Sequence, residues 1–316
     1  MIRGELDNCL TETDLGIGTR IAGKVRDTYD LGDRLILVTT DRQSAFDRIL
    51  AAIPFKGQAL NLTSAWWFQQ TKAIIHNHVI QVPDPNITVA SKCRVFPIEF
   101  VVRGYITGTT STSLWTHYQR GIRNYCGNPL PDGLRKNERL ERPILTPTTK
   151  SEEHDRPISP DEIISEGWLS KADWEATRAA ALELFSFGQR TARQHGLILV
   201  DTKYEFGKDA EGNLLLIDEI HTPDSSRYWI AEGYQERFAE GEEPDNIDKE
   251  FLRLWFVEHC DPYHDATLPP APDELRIELS RRYILLYEMI TGEAFPFPEG
   301  GQSIQQRIRN NLAAYF

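Results

Sequence analysis

The sequence predicts an α+β fold of two lobes, with antiparallel sheets and a helical C-terminal region. Short apolar runs separated by Gly- and Asp-containing turns fill the first hundred residues, the pattern of successive hairpins. Two capped helices stand mid-chain, followed by another hairpin from Leu197. Beyond residue 247 only helical periods remain, at 248–258, 273–291 and 302–315, broken by PPAPDE and EGGQ. A chain of 316 residues can build one large or two ordinary domains. Its character changes near residue 107, so the expected division is a β-rich lobe at 1–106 and an α+β lobe at 107–316.

Composition narrows the partners. A net charge of −12 and the lack of any basic–aromatic stripe argue against nucleic acid and acidic membranes, while leaving room for a locally basic anion site. Four scattered cysteines without a CxxC pair suit a reducing compartment. The start MIRGELDNCL has no apolar leader, and no run is long enough to span a membrane. A cytoplasmic protein is expected.

From the N-terminus, GIGTRIAGKVRDTYDLGDRLILVTTD reads as strand, Gly–Lys turn, strand, DLGD turn, strand. Gly18 to Lys24 has P-loop spacing, but Val25 stands where the Mg²⁺-binding hydroxyl belongs and no helix follows. A glycine-bearing strand pair over nucleotide phosphates, as in kinase-like and ATP-grasp folds, remains open; Gly23, Lys24, Arg26 and Asp27 would form it. TTDRQSAFDRIL places Asp41, Arg42, Ser44 and Asp47 at a strand end, where ligand-facing groups gather. The helix after Lys56-Gly57 is expected to pack through Leu62, Ala65, Trp66 and Gln69. Pro97 marks the 91–106 run as an edge strand or kinked connector, of the kind an adenine-binding hinge needs. Residues 121–147 read as irregular loop, and Lys150, His154 and Asp155 follow on a loop. Ser159 and Ser170 open helices with capping-box patterns, and the second ends at Gly196. His259, Cys260 and His264 could be drawn as a zinc site, but their spacing matches no common ligand pair.

The hairpin LILVDTKYEFGKDAEGNLLLIDEIHTPDSSRYW carries the most chemistry. Asp201, Lys203 and Glu205 alternate on one strand face. If Lys208 pairs with Asn213, Lys203 lies opposite Asp218, and Asp218 falls diagonally from Glu205 at roughly 7–8 Å. Two carboxylates so placed can share a hard cation such as Mg²⁺ on ATP, although a solvated strand face also produces alternating charge.

Together, GKVRD (23–27), SAFD (44–47), FVVRGYITG (100–108), TPTTKSEEHD (146–155), LVDTKYEFG (199–207) and LLIDEIHTPDSSRYW (215–229) resemble the SAICAR synthetases. The resemblance runs from about Gly16 to about Trp255 and favours the longer, monomeric branch of that family. It departs from many relatives after Gly108, where TTSTSLW replaces a simpler turn. It implies an ATP-grasp-related, SAICAR synthetase-like fold. It also implies a ligase joining the carboxylate of carboxyaminoimidazole ribonucleotide (CAIR) to L-aspartate, with ATP and Mg²⁺, through an acyl phosphate.

Carried onto this chain, the resemblance puts Gly23, Lys24 and Arg26 at the ATP phosphates and gives Mg²⁺ to Glu205 and Asp218. Lys203 would neutralise a phosphoryl or acyl-phosphate oxygen; Asp201 would orient it, hold a ligand hydroxyl or form a purely structural ion pair; and Arg103 would grip the CAIR phosphate or carboxylate. Ser44 and Asp47 would contact the ribonucleotide, with Lys150 and Asp155 across the cleft and Thr109 among the candidate hydroxyls. Ser225, Ser226 and Arg227 would fix substrate, Arg227 also serving catalysis, and Glu99 would recognise adenine. The rival readings are a small-molecule kinase with a related ATP lobe and a nucleotide-binding regulator without turnover.

Overall fold

A computed structural model describes residues 1–110, 112–150, 156–247, 249–298 and 302–316. The chain opens with β1 (Thr19–Ala22), β2 (Arg26–Asp30) and β3 (Arg34–Thr39), then the hairpin β4 (Arg42–Ala45) and β5 (Arg48–Ala52). Helix α1 (Lys56–Gln70) leads to β6 (Val79–Asp84) and β7 (Ile87–Ser91). Next come β8 (Arg94–Val95), β9 (Ile98–Ile106), α2 (Leu114–Gln119), β10 (Asn124–Tyr125), β11 (Asn128–Pro129), β12 (Glu138–Leu145) and β13 (Thr148–Thr149). They are followed by α3 (Pro160–Ser165), α4 (Lys171–Gln194), β14 (Leu197–Lys208), β15 (Leu214–Ile217), β16 (Ser226–Ile230) and α5 (Tyr234–Glu240). Helices α6 (Glu250–His259), α7 (Asp273–Thr291) and α8 (Ile304–Asn311) complete it.

These elements form two compact units, each assembled from separated stretches: Met1–Phe68, His78–Lys92 and Ile247–Phe316 in one, Gln69–Asn77 and Cys93–Asn246 in the other. The expected division at 106 therefore differs from the observed one at both ends. Strand β9 belongs with the second unit, and the terminal helices belong with the first. Packing explains the difference. Ile308 and Leu312, at the end of α8, share a core with Tyr29, Ile36, Val38, Ile87 and Val89 of the first sheet. Leu252 and Phe256 of α6 and Tyr283 and Tyr287 of α7 close a second core over Ile53, Ala59 and Leu60.

The first unit holds a five-stranded antiparallel sheet in the order β1-β2-β3-β7-β6. Helix α1 starts directly against the end of β3. A Cβ on Gly57 would lie 2.3 Å from the Thr39 carbonyl oxygen, so only glycine permits this approach. Its buried side includes Ala59, Leu60, Thr63 and Trp67, while Leu62, Ala65 and Trp66 are half-buried and Gln69 exposed. The expected face is thus only partly inward, Leu62 packing against the core; Asn61, Thr63 and Ser64 are buried, which polarity alone does not suggest. The strand end at 39–42 also differs from expectation. Asp41 and Arg42 are buried, and Asp41 accepts from the backbone N–H groups of Leu10 (2.7 Å) and Gly57 (2.8 Å). Residues 42–52 form a hairpin whose turn residues Phe46 and Asp47 have φ of 55° and 59°, the left-handed pair of a type I′ turn.

In the second unit β9 is an interior strand, flanked by β12 and β14. Pro97 lies in the gap between β8 and β9, where no ladder N–H is required, so the expected edge strand or connector is not formed. Likewise β12 runs through the expected loop at 121–147; a register shift between Arg139 and Ile144 interrupts its pairing with β9 and hides its alternation. The capped helices form as the sequence indicates. Ser159 and Glu162 make a reciprocal capping box, and α4 stops at His195 with Gly196 at φ 73°. Among the described residues, no helix is long and apolar enough to cross a membrane.

Candidate active site

Strand β14 organises the chemistry of the second unit because it has two different neighbours along each edge. Its first half pairs with β16 and β9, its second half with β15 and β8. Asp201 stands directly opposite both Arg103 and Arg227, and its Oδ2 lies 3.5 Å and 3.1 Å from their Nη1 atoms. Arg103 is aimed by a second bond, Nε donating to Thr146 Oγ1 at 2.9 Å. Two guanidinium groups thus share one carboxylate, leaving a net positive, fork-shaped pair suited to an anionic ligand. The Gly108 turn lies beside it, a Cβ there falling 3.7 Å from Arg227 Nη1.

Two residues along, Lys203 projects from the same face. Its Nζ donates to Glu205 Oε1 at 2.8 Å and Glu99 Oε1 at 2.9 Å, and Lys150 Nζ donates to Glu205 Oε2 at 2.6 Å. Burial works against the Lys203 charge, yet the carboxylates of Glu205, Asp218 and Glu99 outweigh it and hold the ammonium above the usual lysine range.

Asp218 reaches this group by a route the sequence did not indicate. The turn Asp209–Asn213 has one residue more than expected, closed by Asp209 N–H to Asn213 O at 3.1 Å and Asn213 N–H to Asp209 Oδ1 at 2.7 Å. Lys208 consequently pairs with Leu214 and Glu205 with Ile217. A one-residue slip exchanges the two faces of a strand, which would carry Asp218 away from Lys203. The ladder ends at Ile217, however, and Asp218 adopts φ 66°. That left-handed step breaks the alternation, and the carboxylate acts on Lys203.

The loop after Asp218 is tied from beneath. His221, at φ 52°, is fully buried, with Nε2 2.5 Å from Tyr204 Oη. A Cβ on Gly188 would meet its Cε1 at 2.4 Å, so α4 leaves room for the ring only because residue 188 is glycine. Lys203 N–H donates to Ser225 O at 3.0 Å. Ser226 is drawn away from the site: it pairs with Thr202, and their hydroxyls bond at 2.7 Å in the interior, on the face opposite Arg227. Ser226, expected to contact substrate, thus faces away from Arg227. Glu99, expected to read adenine from a connector, lies on β9 and accepts from Lys203. Thr109 is exposed at its turn, and Asp155 lies outside the described residues.

Burial lowers the His221 pKa to about 3. In the unfolded chain a histidine takes up its proton near about pH 6.5. The neutral ring therefore contributes its full stability above that pH, and the contribution is lost as pH falls toward 3. The slope is about 1.4 kcal/mol per pH unit. Urea midpoints should drop more between pH 7 and pH 5 in the wild type than in His221→Gln; equal drops would contradict this.

In the first unit, Gly23 to Arg26 make the tight turn from β1 to β2, with Gly23 N–H donating to Arg26 O at 2.9 Å. A Cβ on Gly23 would lie 2.4 Å from that oxygen. Lys24 Nζ sits 2.5 Å from Asp47 Oδ1, both side chains mostly exposed, so the turns at 23–26 and 46–47 are neighbours. Ser44 is half-buried on β4, and Arg26 Nε donates weakly to Thr39 Oγ1 at 3.4 Å.

The oxygen donors around Lys203 suit a hard cation. Among the described residues no three His, Cys, Asp or Glu side chains are grouped to hold a metal by themselves. A pair of carboxylates completed by substrate phosphates is the arrangement Mg²⁺ commonly uses, and Glu205 with Asp218 fits it.

Comparison with known proteins gives a consistent answer. The family model described as SAICAR synthetase matches residues 19–270. A phosphoribosylaminoimidazole-succinocarboxamide synthase of Legionella pneumophila (strain Paris) is 66% identical over 304 residues, 96% of this chain and 97% of its own. The SAICAR-synthase of Saccharomyces cerevisiae, solved in complex with SAICAR, aligns with a TM-score of 0.76 and 31% identity, covering 91% of this chain and 100% of its own. A SAICAR synthetase solved in complex with ADP aligns with a TM-score of 0.67 and 26% identity, over 88% and 100%.

Proposed function

The chain belongs to the SAICAR synthetase family, ATP-dependent carbon–nitrogen ligases of purine biosynthesis, and we propose that the face of β14 carrying Asp201, Lys203 and Glu205 is its reaction centre. The observation that carries this reading is the pair of charge groups on adjacent same-face positions. Arg103 and Arg227 flank Asp201, and three carboxylates surround Lys203.

A carboxylate does not acylate an amine at neutral pH, because oxide would have to leave. Transfer of the γ-phosphoryl group of ATP to a CAIR carboxylate oxygen forms a C–O–P linkage and releases ADP. The aspartate amine then attacks the acyl carbon, the C–O bond to phosphate breaks, and the amide forms with loss of the amine proton. Both steps gather negative charge on phosphoryl oxygens, and fixed cations lower their barriers. Arg103 and Arg227 would hold the anionic groups of CAIR and aspartate, and Lys203 would face the transferred phosphoryl oxygens. Asp201 keeps the two guanidinium groups together. Lys24, Gly23 and Arg26 are assigned to the ATP phosphates, Ser44 and Asp47 to the ribonucleotide, and Lys150, Thr109, Asp155 and Ser225 to substrate positioning. Glu205 and Asp218 would hold Mg²⁺, whose bound charge neutralises phosphate oxygens. Glu99 keeps Lys203 charged and in place. The ADP and SAICAR complexes of the relatives support these ligand classes. We place the enzyme in the cytoplasm as a monomer acting on soluble substrates.

The deciding assay is coupled ADP release with CAIR and aspartate each omitted in turn. Release that needs both is expected; release with CAIR alone at the full rate would favour a kinase. Arg103→Ala should raise KM for CAIR by about 10- to 100-fold through loss of a charge-assisted bidentate contact, with KM for ATP nearly unchanged. Unaltered use of CAIR would remove Arg103 from the site.

A further inference from the structure

Arg42 spends its whole guanidinium on backbone carbonyls and one carboxylate. Nη2 donates to Gly23 O at 2.9 Å and to Asp27 Oδ1 at 2.6 Å, Nε to Lys24 O at 3.1 Å, and Nη1 to Thr11 O at 2.6 Å. Beside it, Thr40 gives both its N–H (3.0 Å) and its hydroxyl (2.7 Å) to Val25 O. Three successive carbonyls, those of Gly23, Lys24 and Val25, are therefore held by the segment 40–42. Asp27 is fully buried and also accepts from Thr13 Oγ1 at 2.6 Å and Arg20 Nη2 at 3.0 Å, so the guanidinium has a fixed counter-charge and cannot swing away.

Every peptide bond here is trans, and in a trans peptide the N–H points opposite to the C=O. Drawing the Gly23 and Lys24 carbonyls toward Arg42 turns the N–H groups of Lys24 and Val25 away from it. A turn that hides its carbonyls and presents its amides attracts anions and no longer repels them. We infer that Arg42, assisted by Thr40, is the positioning residue of the nucleotide turn. It sequesters the carbonyls of residues 23–25 and so sets both the outward amides and the base of the Lys24 side chain for the phosphates of ATP. Arg42 itself touches no substrate. Lysine cannot replace it, since an ammonium has three donors and Arg42 serves four acceptors, three carbonyls and Asp27, from the fixed plane of a guanidinium.

This inference rests on the assignment of Lys24 to the ATP phosphates, and the test separates the two. Arg42→Lys should raise KM for ATP about tenfold, as expected for two weakened charge-assisted bonds, with kcat and the KM values for CAIR and aspartate within about twofold. Thr40→Val, a milder change that removes only the hydroxyl donor, should raise KM for ATP about two- to threefold and serves if Arg42→Lys does not accumulate folded. A folded variant with lowered melting temperature and wild-type KM for ATP would reduce Arg42 to a structural role and overturn the inference. Lys24→Ala is the control. If it leaves KM for ATP unchanged, the phosphate assignment itself fails. If it raises KM for ATP while Arg42→Lys and Thr40→Val do not, only the inference on Arg42 fails.

Discussion

Glu205→Gln is expected to lower turnover by about a thousandfold, the scale of losing one preorganised electrostatic group at a reaction centre, while the folded state persists. Each oxygen of Glu205 accepts from a different lysine, Lys203 and Lys150. The amide keeps the shape but carries no charge, and its NH₂ would face one of the two ammonium groups. The variant also loses a carboxylate of the proposed Mg²⁺ site. Some stability is lost too, because removing one partner of a buried ion pair costs about 3–5 kcal/mol. Glu205 is largely buried but Lys203 and Lys150 are partly solvated, which favours the lower end. Assays well below the variant's own melting temperature separate the effects. Asp218→Asn should behave alike with a smaller loss of stability. If either variant, shown to be folded by circular dichroism, retains a tenth or more of wild-type kcat, the carboxylates are not at the centre of the chemistry.

The second large effect concerns stability. Ending the chain after Pro298 removes α8 and with it the side chains of Ile308 and Leu312, both essentially fully buried. It also removes Arg307 and Asn311, which donate to the buried Asp84 at 2.9 Å and 2.8 Å. Two buried aliphatic side chains contribute roughly 1.5–3 kcal/mol each, and stranding Asp84 costs about 3–5 kcal/mol more. The total is comparable to the whole stability of a typical domain, about 5–15 kcal/mol. The truncated chain should fail to accumulate as soluble protein. Leu312→Ala should remain folded and lose about 2–4 kcal/mol by urea titration. A truncated protein that melts like the full chain would show that α8 is dispensable to the core.

Much of this architecture is legible from local signals. The capping box at Ser159, the serine cap at Ser170, the glycine stop at 196 and the three-stranded opening all follow from residue chemistry acting within a few positions. What escapes notice depends on partners distant in sequence. Strand β12 is half charged and interrupted in register. Its partner β9 lies more than thirty residues upstream, so no short window reveals the pairing. The β4–β5 hairpin turns on Phe46-Asp47, and Phe46 is no signal for a left-handed turn. The discontinuous first unit depends on terminal helices covering a sheet made two hundred residues earlier.

The candidate site divides the same way. Same-face placement of Asp201, Lys203 and Glu205 follows directly from strand geometry. The partners Glu99, Thr146 and Lys150 depend on strand order, which the sequence does not state. Asp218 is instructive because it is delivered to Lys203 by a backbone conformation, φ 66°, that compensates a register one residue from the expected one. Ser226 shows the converse: beside Arg227 in sequence, it lies on the other side of the sheet because neighbours in a strand always do.

Strand β14 also acts as a ruler. Both charge groups hang from one uninterrupted backbone, so the interval from Asp201 to Lys203 is two residues of strand, about 6.6 Å, whatever ligands are present. Length changes should therefore be tolerated very unevenly. Inserting a residue in the exposed 209–213 turn leaves the interval untouched. Inserting one between Asp201 and Glu205 shifts one group past the other and turns half of it to the far face. Lineages of this enzyme are expected to vary in length at the turn and to keep the spacing D-x-K-x-E intact.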